Sequence, residues 1–184
     1  MGKIRIIGGH YRGRKLTVID ADGLRPTLDR VKETLFNWLG QDLTNLSCLD
    51  LFAGSGSLAF EAISRNASNV TLVEANAQVA AQLKHNLQVL KVTNVTVVHS
   101  DAISYLHGCN AAYDIIFVDP PYASTLLAES LPLLAKVLNE NGVIFIENYL
   151  AVDLAEFKII KHGTAGKVNY ALLSTTRNEE CHFI

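Results

Sequence analysis

The chain has 184 residues, 49% of them hydrophobic and 18% charged, with a net charge of −2, the profile of a soluble globular chain with enough length for one full core. Its apolar runs fall far short of the roughly 18 residues that cross a bilayer, and Met1-Gly2-Lys3-Ile4-Arg5 enters charged sequence without a secretory apolar segment, so a cytoplasmic address is expected. Cys48, Cys109 and Cys181 are odd in number, widely spaced and form no Cys-x-x-Cys pair, which argues for free thiols and against a disulfide framework or a zinc site.

Charge is unevenly spread. The first 32 residues hold eight basic side chains (Lys3, Arg5, Arg12, Arg14, Lys15, Arg25, Arg30, Lys32) against three acidic ones, leaving eight basic and fifteen acidic groups for the rest. A positive end on an acidic body suits contact with a polyanion, although a solvated basic arm would look the same. Within this segment, residues 4–7 and 15–18 read as short strands joined by a glycine-punctuated basic turn over residues 8–13, a small hairpin. Arg25-Pro26-Thr27 then introduces a helix, with Thr27 as N-cap, Leu28, Val31, Leu35, Trp38 and Leu39 on one face, and Gly40 at the stop. Helical spacing among leucines assigns Phe36 and Trp38 to packing.

From residue 46 the pattern alternates. Strands are expected at 48–51, 70–73, 95–98, 115–118 and 143–146, with helices over 58–65, 77–90 and 126–138 between them. Such alternation yields a doubly wound α/β sheet with right-handed crossovers. Two further strands, 157–161 and 168–176, are joined by a loop holding Gly163 and Gly166; no helix separates them, so they are expected to be antiparallel neighbours.

The chemistry collects at the ends of the strands. Asp50-Leu51-Phe52-Ala53-Gly54-Ser55-Gly56 follows the first sheet strand and opens a helix, and the glycines match the G-x-G-x-x-A pattern of dinucleotide sites. Glu74 ends the second strand, where an acid binds ribose hydroxyls of either a nicotinamide cofactor or S-adenosylmethionine. Asp50 favours the latter, because a carboxylate suits the ammonium of a methionine moiety and repels a pyrophosphate. Asp101-Ala102, after the third strand, places an acid where an adenine amino group could be held. A capping role would explain each acid alone. Asp119-Pro120-Pro121-Tyr122 leaves the fourth strand as a rigid extended segment. The Asp119 carboxylate and the Pro120 carbonyl can accept the two hydrogens of an exocyclic amino group while the Tyr122 ring stacks on its base.

In this order, Asp50-Leu-Phe-Ala-Gly-Ser-Gly, Glu74, Asp101 and Asp119-Pro-Pro-Tyr resemble class I S-adenosylmethionine-dependent amino methyltransferases. Two N-terminal runs, Arg5-Ile-Ile-Gly-Gly-His-Tyr-Arg-Gly-Arg-Lys-Leu and Gly23-Leu-Arg-Pro-Thr-Leu-Asp-Arg-Val-Lys-Glu-Thr-Leu-Phe-Asn-Trp-Leu, are similar to the bacterial small-subunit ribosomal RNA guanine-N2 methyltransferases, the RsmD family; Gly166-Lys-Val-Asn-Tyr matches as well. The resemblance implies a Rossmann-like class I methyltransferase with a seven-stranded, mostly parallel sheet. It implies one catalytic domain spanning 1–184, with a hairpin extension over 1–24 and a core over 25–184. Asp50, Phe52, Gly54, Ser55, Gly56, Glu74, Ala75, Asp101 and Ala102 would hold S-adenosyl-L-methionine, and residues 119–122 a guanine. Arg5, Arg12, Arg14, Lys15, Arg25 and Arg30 would meet ribosomal RNA, in a free or a subunit-bound form; Arg25, Thr27 and Arg30 suit the methionine end of the cofactor equally. An adenine-N6 methyltransferase would use the same reactive loop, and a nicotinamide-dependent oxidoreductase or a non-catalytic RNA-binding protein would each explain part of the pattern. No metal is expected.

Overall fold

A computed structural model describes residues 2–19, 29–121, 124–154 and 156–176. The chain opens with an antiparallel pair, β1 (Gly2–Arg5) and β2 (Lys15–Val18). There follow α1 (Asp29–Leu39), β3 (Ser47–Asp50), α2 (Ser57–Ser64), β4 (Asn69–Glu74), α3 (Ala77–Leu90), β5 (Val95–His99), α4 (Ala102–Gly108), β6 (Tyr113–Val118), α5 (Leu126–Leu134), β7 (Leu138–Glu147), β8 (Phe157–Ala165) and β9 (Val168–Thr175). The main sheet has seven strands in the order β5-β4-β3-β6-β7-β9-β8. Strands β3 to β7 are parallel, and β9 pairs antiparallel with both β7 and β8. Strand order reverses between β3 and β6, which creates the crevice at the carboxyl edge where ligands bind in open α/β sheets.

Alternate strand side chains feed two cores. Cys48, Ile115, Phe117, Val143, Phe145 and Leu172 face α1, α2, α3 and the hairpin, whereas Leu49, Ile116, Val118, Ile144, Ile146 and Leu173 face α4 and α5. Strands covered on both faces are near-continuously apolar, as β6 is in Ile115 to Val118. On the first face Phe36 is fully buried 6.2 Å from Phe117, and Trp38 lies 5.6 Å from Tyr170, so both rings serve packing. Burial also drives the Cys48 thiol pKa upward, leaving it an inert core residue; Cys109 is partly buried and Cys181 lies outside the described residues.

Several boundaries differ from those expected. The first strand is Gly2–Arg5 rather than 4–7, because it pairs with β2 only as far as Arg5, opposite Lys15. The helix expected over 126–138 ends at Leu134, soon after Pro132, and Leu138 already belongs to β7 opposite Tyr113. Gly163 lies inside β8 opposite Tyr170, so the final turn contains only Gly166 and Lys167 between the strands. Helix α4 was not expected; seven residues are too few to display a periodic stripe. Thr27, the expected cap of α1, lies outside the described residues.

Candidate active site

The glycine loop has a specific backbone reason. Gly56 sits at φ 75°, and a Cβ there would lie 2.6 Å from Phe60 and 2.7 Å from Leu83, so both conformation and packing require glycine. This turn tucks α2 against β3 and aims its first residues at the crevice. The Gly54 amide donates to Glu74 Oε2 at 2.8 Å, and the Asn76 amide to Glu74 Oε1 at 2.7 Å. Glu74 therefore ties the ends of β3 and β4 together, and each of its oxygens retains acceptor capacity for a hydroxyl.

Asp50, the last residue of β3, is buried. Burial, together with the nearby carboxylates of Asp119 and Glu74, pushes its pKa up to about 7, although backbone donors at Ala59 and Phe52 pull the other way. Ser57 Oγ, also buried, has no hydrogen-bond partner among the described residues. A buried acid held up by like charges and an orphaned hydroxyl at the start of α2 are what a small polar, cationic ligand would satisfy; a pyrophosphate would meet repulsion there. The donor set thus fits the methionine end of S-adenosylmethionine.

Asp101 is exposed and caps α4, accepting from the Ser104 amide at 2.8 Å, which lowers its pKa. The capping role coexists with further acceptor capacity on the same carboxylate. Ala102 is buried as the first residue of α4, Phe52 and Ser55 are half-buried, and Ala75 is exposed with its carbonyl 3.0 Å from His99 Nε2. Asp119 and Pro120 are half-buried and Pro121 exposed, directly after β6; Tyr122 lies outside the described residues. Acids thus follow β3, β4, β5 and β6, four adjacent strands, at one edge. Reading the sequence missed Glu147, a buried acid that ends β7 at the same edge. Its position after an apolar strand is the signal that would have found it. Among the described residues there is no group of three or more His, Cys, Asp or Glu placed to hold a metal.

The basic hairpin is anchored as much as displayed. The Ile7 amide donates to Glu61 Oε2 at 2.9 Å, the His10 amide to the Ser64 carbonyl at 2.6 Å, and the Tyr11 amide to Ser64 Oγ at 2.8 Å. Gly9, at φ 72°, lets this approach occur, since a Cβ there would fall 1.8 Å from the Ser64 carbonyl oxygen. Beneath it lies a buried ion pair, Arg65 Nη2 to Glu61 Oε1 at 2.9 Å, with the Arg65 guanidinium 4.7 Å from the Phe36 ring centroid and bonded to Gln41. The buried Lys32 ammonium bonds the Arg5 carbonyl at 2.8 Å and Asp29 at 3.1 Å.

Of the expected RNA contacts, Arg12, Arg14, Lys15 and Arg30 are exposed, whereas Arg5 pairs with Asp29 at 2.9 Å and Arg25 lies outside the described residues. The hairpin turn meets the C-terminal end of α2, so Arg12 sits near the amino edge of the sheet. β2 returns toward the site, where Val18 and Ile19 share a narrow cleft with Gly54, Ser55, Gln82 and Asn86.

This sheet order, the glycine turn and the row of acids define a Rossmann-like methyltransferase. A family model described as "Conserved hypothetical protein 95" matches residues 4–174. The chain is 46% identical over 177 residues to ribosomal RNA small subunit methyltransferase D of Escherichia coli strain K12, covering 93% of this chain and 89% of that one. It is 43% identical over 180 residues to the protein of the same name from Haemophilus influenzae, covering 93% of each. The solved structure of a putative methyltransferase, yhhF, from Escherichia coli superposes with a TM-score of 0.86 at 42% identity, over 95% of this chain and 98% of that one. The chain belongs to the RsmD family of methyltransferases.

Proposed function

We propose that the protein uses S-adenosylmethionine to methylate the exocyclic N2 of a guanine in small-subunit ribosomal RNA, in the cytoplasm and on an assembled or assembling subunit. The observation that carries this reading is that Asp50 ends β3 while Asp119 follows the parallel neighbour β6, with Phe117 opposite Asp50, so that the Asp119 charge helps to raise the pKa of the buried Asp50. Such a site gains from a cationic ligand beside an amino-bearing base. RNA as the substrate is supported by the names of the relatives and by the exposed cations Arg12, Arg14, Lys15 and Arg30.

When bound, S-adenosylmethionine supplies an electrophilic sulfonium methyl group. Asp50, Ser57 and the Gly54 to Gly56 turn would hold its methionine end, Glu74 its ribose, and Asp101 with Ala102 its adenine. The chain's own residues do the rest by positioning. Asp119 and the Pro120 carbonyl accept the two amino hydrogens, which turns the guanine nitrogen lone pair out of conjugation and toward the methyl donor. Their negative ends stabilise the positive charge that develops on nitrogen. The acidic proton of the methylated nitrogen then leaves to Asp119 or to water, so no strong base is required. Tyr122 offers the flipped-out base a stacking face.

The test is transfer of labelled methyl to unmodified small subunits, naked ribosomal RNA and duplex DNA, followed by nucleoside analysis. N2-methylguanosine from the subunit or RNA supports the proposal; N6-methyladenine would retain the reactive loop and overturn the substrate; no transfer would overturn both.

A further inference from the structure

We infer that the loop after β7 and the β8–β9 turn form a second RNA-contacting surface beside the reactive loop, with Leu150 packing on bases that flank the target and Lys167 pairing with their phosphate. This inference rests on the RNA reading above. Sheet register places the surface. Val118 lies opposite Ile146, so Asp119 and Glu147 leave neighbouring parallel strands in step, about 4.8 Å apart in the sheet direction. On the other side Glu147 lies opposite Tyr170 of antiparallel β9, which brings the Gly166-Lys167 turn to the same edge, about 10 Å from the strand that carries Asp119.

Leu150 is 75% exposed, the most exposed large hydrophobic residue among those described, the others being Val89 on α3 and Ile159 on β8. It is not loosely held. Asn148 takes φ 56°, its amide donates to the Asn169 carbonyl at 2.8 Å, and the Tyr149 amide donates to Asn169 Oδ1 at 3.0 Å. The Val152 amide closes the turn on the Tyr149 carbonyl at 2.9 Å, and the Tyr149 ring is buried. Asn169 thereby fixes the loop from below with both its backbone and its side chain, and Leu150 is presented outward directly after the buried Tyr149. An apolar side chain fixed in water at a ligand-binding edge carries a solvation cost that contact with a base face removes.

The chemistry of the partner follows. Turning a guanine out of its stack leaves the faces of adjacent bases open, and apolar side chains fill such steps in nucleic-acid complexes. Lys167 is exposed at a turn with open space around Gly166, where a backbone phosphate can approach. One leucine beside one lysine is far smaller than the apolar patch of a protein interface, which favours an RNA strand over a protein partner.

Binding to naked ribosomal RNA and to unmodified small subunits across a salt series, and methyl transfer to both, test the assignment with Leu150→Ala, Lys167→Ala and the conservative pair Leu150→Met and Lys167→Arg. Leu150→Ala should weaken RNA binding about tenfold with the salt slope unchanged, whereas Lys167→Ala should flatten that slope by about one. Leu150→Met and Lys167→Arg should restore wild-type behaviour, and unfolding midpoints should not move, since both side chains are exposed. Wild-type binding and turnover in both alanine variants overturns the inference. So does a defect confined to assembled subunits, which would assign the surface to a ribosomal protein. Failure of the wild-type protein itself to methylate any RNA would overturn the proposed function instead, a distinguishable result.

Discussion

Asp50→Asn is expected to stabilise the ligand-free protein while destroying its affinity for cofactor. The Asp50 carboxyl moves from an ordinary 3.8 to about 7 on folding, which corresponds to about 4 kcal/mol at 1.36 kcal/mol per pH unit. The folded state therefore binds more protons than the unfolded chain between those values. Stability from the protonated carboxyl is fully present below pH 3.8 and is lost as pH rises through about 7. Asparagine stays neutral and cannot incur that loss, but it sacrifices part of the acceptance from the Phe52 and Ala59 amides, so a net gain of about 1 to 3 kcal/mol at pH 8 is expected. Urea unfolding of wild type and variant without cofactor, from pH 4 to pH 8, measures it. The stability difference should grow in favour of the variant as pH rises. A difference that stays flat, or a variant less stable at pH 8, would refute the placement of a buried, charge-crowded acid at the end of β3.

Asp119→Ala should abolish methyl transfer while leaving cofactor affinity within a few-fold by calorimetry; near-normal turnover would remove its proposed role as amino acceptor. Gly56→Ala, which forces a Cβ against Phe60 and Leu83 at positive φ, should cost about 2 kcal/mol in denaturant unfolding. Arg65→Met strands the buried Glu61 carboxylate and should cost about 3 to 5 kcal/mol, with faster amide exchange at Ile7, His10 and Tyr11; pairing it with Glu61→Gln should recover part of the loss. Replacing Arg12, Arg14 and Lys15 together by alanine should lower the salt slope of RNA binding by about three, whereas Arg5→Ala should change it less, because Asp29 already claims that guanidinium at 2.9 Å.

Where a side chain's purpose is local, the sequence was readable. Helix α3 runs over the expected Ala77–Leu90 because Asn76 caps it, accepting from the Gln78 and Val79 amides, while Val79, Leu83, Leu87 and Leu90 mark its buried stripe. The glycine turn and the acids after β3 to β6 were legible for a similar reason, since an apolar strand followed by a polar residue locates the sheet edge. Longer-range effects escaped. Glu61 and Arg65 are spaced like an exposed helical ion pair, and the hairpin together with Phe36 and Gln41 buries them. Lys32 looked like one more cation of a basic arm, yet it is spent inside, holding the Arg5 carbonyl. Glu147 and the Asn169 clamp depend on the pairing of β7 with β9, which residues so distant in sequence from the glycine loop do not announce.

The docking of the hairpin onto the last turn of α2 makes that short helix a ruler. Its first residue follows the glycine turn and its last, Ser64, receives the basic hairpin, so eight residues at 1.5 Å each set about 12 Å between the two. Adding a single residue to α2 would lengthen that spacing only slightly but would swing Ser64 by about 100° around the helix axis, facing the hairpin's amides with the wrong side. Length variation is therefore expected to accumulate in the connections on either side of α2, while the helix itself keeps its residue count.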